Sequence, residues 1–168
     1  KAVAAMGFQE IFSHILTDKK SLTGNSAAVV ELENFMSETY SAVRNSLLPQ
    51  LLDVLSKNKH ADYPQKIFEE GIVASVAGTK VTESHFIALA SAHSAANFTE
   101  MKQYLSAMLT PLGASFTIQP TEHPTFIKGR AGSVVVNKTQ IGSSRFGTVA
   151  GKATWEQVGV IGEISPAV

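Results

Sequence analysis

The densest set of chemically capable side chains lies between Thr121 and Arg130. A carboxylate at Glu122, an imidazole at His123, an amine at Lys128 and a guanidinium at Arg130 fall within nine positions. Pro124 and Gly129 set the backbone path between them. Such a set suits a cleft wall that binds a small polar ligand, and Glu122, His123 and Arg130 are the candidate binding residues. It equally suits a surface loop in which Arg130 caps carbonyls or pairs with Glu122. Other chemical signals fail on spacing. The histidines at 14, 60, 85, 93 and 123 include no i, i+4 pair on a helix and no HExxH, so no metal ligand is assigned. The stretch Gly147 to Thr154 imitates a phosphate loop. It has three residues between its glycines and places Ala153 after Lys152, where the P-loop has four and a hydroxyl residue. Serines are plentiful, but no G-x-S-x-G elbow presents one as a nucleophile. Asn97 and Asn137 open glycosylation triplets in a chain with no secretory signal, and Asn97 also reads as a helix cap. No residue is assigned a catalytic role.

The 168 residues suit a single domain spanning 1–168, read as excised from a longer chain because it lacks an initiator Met. The absence of cysteine excludes disulfides, thiolate nucleophiles and cysteine zinc sites, and fits the reducing cytoplasm. Lys and Arg number 14, as do Asp and Glu, so the formal net charge is zero. A neutral chain lacks the electrostatic footprint of a dedicated nucleic-acid binder or a membrane-surface module. No 18-residue window is free of polar residues, so no membrane span is expected. Charged residues make up 17% and mean hydropathy is +0.08. Typical soluble domains carry roughly 25% charge, so the deficit points to a surface that meets another chain.

Elements that would position these residues follow from periodicity. Residues 8–16, rich in β-branched and aromatic types, predict a strand. Thr17 and Asp18 can cap a helical turn over Lys19 to Leu22, Thr23 to Ser26 is a turn, and Val29 to Leu32 a short strand. The leucines of 46–58 predict an amphipathic helix, capped by Asn45 or Ser46, with Pro49 in its first turn. Strands follow over 67–73 and 86–93. Asn97 and Glu100 form a capping-box pattern ahead of a helix over 98–112, with Phe98, Met101, Leu105, Met108 or Leu109, and Leu112 on one stripe and Gly113 at its end. Strands over 116–118, 133–137 and 157–164 complete the pattern, and 142–156, rich in small residues and glycine, reads as a loop or insertion. Grouped strands without βαβ alternation predict an α+β fold with a largely antiparallel sheet.

Several stretches in register carry a resemblance. They are Gly7 to Ile11 (GFQEI), Ser41 to Pro49 (SAVRNSLLP), Tyr63 to Glu69 (YPQKIFE), Ser94 to Glu100 (SAANFTE), Glu122 to Arg130 (EHPTFIKGR) and Gly159 to Pro166 (GVIGEISP). Together they resemble the catalytic-like module of the phenylalanyl-tRNA synthetase β subunit, of the archaeal and eukaryotic-like branch. The resemblance covers nearly the whole chain, apart from 142–156.

The resemblance implies a class II aminoacyl-tRNA synthetase-like fold, an antiparallel sheet flanked by helices. It implies a non-catalytic structural module that supports an α subunit in an α2β2 complex. In that family the α subunit attaches phenylalanine to tRNA with ATP and magnesium, and this domain binds no cofactor itself. A class II site needs an arginine just past the second-motif strand to clamp the α-phosphate. Here those positions are Ala74 and Ser75, and Arg44 precedes the leucine-rich helix, so it is not assigned that role. The family's Glu-Ile-His-Pro-Glu near the end reads Glu163-Ile164-Ser165-Pro166-Ala167 here, which removes a polar pair. The alternative is a free-standing synthetase-like protein that binds an amino acid or nucleotide fragment beside Glu122, His123 and Arg130. A third reading, tRNA contact through Lys57, Lys59 and His60, competes with a solvated helix end that suits the helix dipole.

Overall fold

The computed structural model describes residues 2–22, 29–122, 126–127, 129–136, 139–150 and 157–164. The chain runs through α1 (Ala2–Ala5), β1 (Gln9–Glu10), β2 (Leu16–Thr17), β3 (Val30–Glu31), β4 (Ala42–Val43) and α2 (Leu48–Lys57). It continues through β5 (Gln65–Ala77), β6 (Lys80–Ala92), α3 (Phe98–Leu109), β7 (Phe116–Pro120), β8 (Ala131–Val136), β9 (Thr139–Ala150) and β10 (Gln157–Ile164). The large sheet has the order β1-β5-β6-β10-β9-β8-β7, and β2-β4-β3 form a small one. All pairs in the large sheet are antiparallel except β1 with β5.

β5 and β6 are its spine. They pair from Gln65 opposite Ala92 to Ala77 opposite Lys80, leaving a two-residue turn at Gly78 and Thr79. Gly78 takes φ +64°, which a two-residue hairpin requires and which a Cβ would strain. Both strands outrun their expected limits at Val73 and Phe86, because the tight turn lets pairing continue to the hairpin tip. Strand alternation then sorts side chains between faces. Ile67, Val73, Ala88, Ala90 and Ala92 pack under Leu47, Leu51 and Leu55 at α2. Phe68 and Leu89, one residue out of phase, pack with Val3, Phe8 and Met101 from the α1 and α3 side. Leu105 and Leu109 carry α3 onward over Val134 and Val136 of β8.

Local chemistry explains the helix limits. Ser46 Oγ accepts the Leu48 N–H at 3.2 Å, so it satisfies one free donor of α2 although Leu47 holds the cap position. Asn97 Oδ1 accepts the Glu100 N–H at 3.1 Å and starts α3. The apolar stripe was expected to include Leu112, but α3 ends at Leu109. A 3-10 turn over Thr110–Leu112 changes the period and turns Leu112 outward, 78% exposed. Gly113, at φ +68°, closes it.

Two expected elements differ. The strand expected over 8–16 is two short pieces, β1 and β2. Between them Phe12 points to solvent while Ser13 turns inward to hydrogen-bond Glu69. The loop expected over 142–156 is strand through Ala150. β9 has β8 on one side and β10 on the other, and these pairings hold the backbone of its small residues extended. Residues 151–156 of that stretch lie outside the described ones, as do Thr23 to Ser26.

Candidate functional site

The 121–130 segment connects β7 to β8. The Thr121 N–H donates to the Ala131 carbonyl at 3.2 Å and draws the two ends of the loop together. Glu122 and Arg130 are exposed beside that junction, and the Arg130 N–H closes a turn on Ile127 O at 2.9 Å. His123 and Lys128 lie outside the described residues. The residue that ties the loop down is Phe126. It is buried in the cluster formed by α2 and the sheet, beside leucines of α2 and alanines of β6. The sequence reading singled out the charged residues of this segment and passed over its aromatic ring.

A second set of groups centres on two buried charges, with a partly buried serine beside them. Arg44 follows β4, Glu69 lies on β5 at the parity of Ile67 and Val73, and Ser13 lies between β1 and β2. Arg44 Nη1 donates to Glu69 Oε1 at 2.6 Å and to Ser13 Oγ at 2.9 Å, and its Nε donates to Ile72 O at 2.9 Å. The Ser13 hydroxyl is within hydrogen-bond distance of both Glu69 oxygens, and its N–H donates to Oε1 at 3.2 Å. The two charged side chains are 3% and 2% exposed. The Arg44 backbone is also held, its N–H by Ile15 O and its carbonyl by the Ala74 N–H. Gly71 completes the fit, since a Cβ there would run into Arg44 Nη2. The arrangement stitches three chain segments together with charge-assisted hydrogen bonds.

This geometry bears on phosphate chemistry. The two positions at which the resemblance calls for a clamp, Ala74 and Ser75, lie inside β5 rather than beyond its end, and Ala74 is buried. Neither carries charge. The nearby guanidinium, Arg44, is committed to Glu69, so a phosphate would have to displace a buried carboxylate to reach it. These residues do not fit an ATP phosphate.

A third cluster sits on the α3 side of the spine. His93 Nε2 lies 2.7 Å from Glu100 Oε2, Tyr104 donates to Glu100 Oε1 at 2.7 Å, and Ser91 donates to the same oxygen at 3.3 Å. Lys66 Nζ stands 5.1 Å from the Tyr104 ring centroid, a cation–π contact. Burial pushes the Glu100 carboxyl upward, but hydrogen bonds from Tyr104 and His93 and the charges of His93 and Lys66 outweigh it, leaving a net lowering. The Tyr104 hydroxyl is raised by burial and by the Glu100 carboxylate, with Lys66 opposing. Glu100 was expected to complete the capping box with its side chain. Its N–H does bond Asn97, but its carboxylate serves this cluster, where partners with charge hold it more strongly. A carboxyl whose folded pKa is depressed stabilises the fold above its unfolded pKa, and that contribution is lost as pH falls through the folded value. The stability gap between wild type and Glu100→Gln is therefore expected to narrow below about pH 4.3, the unfolded value. Urea melts across the acid range measure it, and a gap constant with pH would contradict the assignment.

Among the described residues no three His, Asp or Glu side chains converge as a metal site would need. Of the basic residues near the end of α2, Lys57 is paired with Asp53 at 2.6 Å, while Lys59 and His60 are exposed.

The family model for the phenylalanyl-tRNA synthetase β-chain CLM domain matches residues 1–168. This chain belongs to that family. Phenylalanine–tRNA ligase β subunits of archaea are similar to it. One from Thermococcus kodakarensis is 41% identical over 145 residues, covering 84% of this chain and 22% of the relative. One from Thermococcus sibiricus is 36% identical over 173 residues, covering 99% and 28%, and one from Methanocella arvoryzae is 36% identical, covering 97% and 28%. The CLM domain thus spans less than a third of the curated relatives it matches. Among solved structures, pyrrolysyl-tRNA synthetase from Desulfitobacterium hafniense superposes with a TM-score of 0.73 at 14% identity, covering 98% of this chain and 60% of that one. The CLM domain shares that synthetase fold.

Proposed function

We propose that this CLM domain is a non-catalytic structural module of the phenylalanine–tRNA ligase β subunit, built on a class II synthetase platform. It supports the α subunit, which attaches phenylalanine to tRNA with ATP and magnesium in a cytoplasmic α2β2 complex. The observation that carries the reading is the fate of positive charge near the strand β5. Ala74 and Ser75 offer none, and Arg44 is spent on Glu69. Phe126 adds to it by filling the space between α2 and the sheet with protein rather than leaving it for a substrate.

The test is reconstitution of full-length β with α, followed by size-exclusion chromatography with light scattering and aminoacylation assays. A shared peak of defined stoichiometry is expected. Glu122, His123 and Arg130 then act in stability or assembly. Ala substitutions at His123 and Arg130 are expected to change complex yield or thermal midpoint and to leave the turnover number of assembled enzyme unchanged. A normally assembled, normally stable complex with a collapsed turnover number would assign these residues to chemistry and overturn the scaffold reading for the loop.

A further inference from the structure

We draw no further inference here: the strongest candidate, the surface patch of exposed apolar side chains between Phe12 and Tyr40 on the lobe of β2, β3 and β4, is an unpartnered face, and nothing in the structure shows what covers it.

Discussion

Glu69→Ala is expected to remove about 3–5 kcal/mol of unfolding free energy, the cost of leaving one partner of a buried ion pair uncompensated. The reason lies in what remains. The Arg44 guanidinium would stay 3% exposed, with Nη1 still bonded to Ser13 and Nε to Ile72 O but no anion near it. Ser13 would lose both carboxylate partners, and the segment between β1 and β2 would lose its anchor on β5. Since whole domains are stable by only about 5–15 kcal/mol, this one change can unfold the CLM domain when it stands alone. Replacing both partners with apolar residues should be milder than removing Glu69 alone, because no charge is then stranded. The double variant Arg44→Met with Glu69→Leu checks this in a urea-melt cycle. A loss of under about 1.5 kcal/mol in Glu69→Ala would show that water reaches the guanidinium and that the pair is not a structural staple.

The contrast between this network and the helices shows what a sequence exposes. α2 and α3 were legible because their signals are local: leucines three and four positions apart, Pro49 in a first turn, Asn97 ahead of Glu100. The resemblance was legible because its motifs are contiguous. The Arg44–Glu69 pair joins residues 25 apart, and no spacing rule links them. One clue was present. Glu69 shares strand parity with Ile67 and Val73, so a carboxylate on that face had to be buried and needed a cation. Lys66 is nearer in sequence but of the opposite strand parity, and Arg44 was the cation set among the apolar and small residues of Ser41 to Pro49. β9 was misread for a different reason. Glycine and small residues weaken strand propensity, and only pairing on both sides, a non-local fact, overrides it. The loop of 121–130 was half legible. Its charges drew notice because charged residues suggest chemistry, whereas its structural role falls to Phe126, an apolar residue within a polar run. A single ring in a loop has no periodicity to reveal where it points.

That ring carries the second large expectation. Phe126→Ala is expected to cost about 3–5 kcal/mol, the usual range for deleting a buried aromatic side chain. Phe126 is 7% exposed and packs in the same cluster as Leu47, Leu51, Leu55 and the β6 alanines. The alanines matter. They are too short to extend into the vacated volume, and α2 is tied to its own sheet contacts, so the site cannot collapse fully. The loop ends are held by the Thr121–Ala131 hydrogen bond, which keeps the segment near the gap. What remains is an apolar cavity, and such cavities stay dry and accept small aromatic molecules. Benzene or toluene should therefore raise the thermal midpoint of Phe126→Ala by mass action while leaving wild type unmoved. Phe126→Leu, which keeps most of the volume, should cost far less. A drop of under about 1.5 kcal/mol in Phe126→Ala, with no response to benzene, would mean that the space closes without the ring. The claim that protein fills this part of the synthetase platform would then lose its support, and the reason for reading the domain as non-catalytic would rest on the charges of β5 alone.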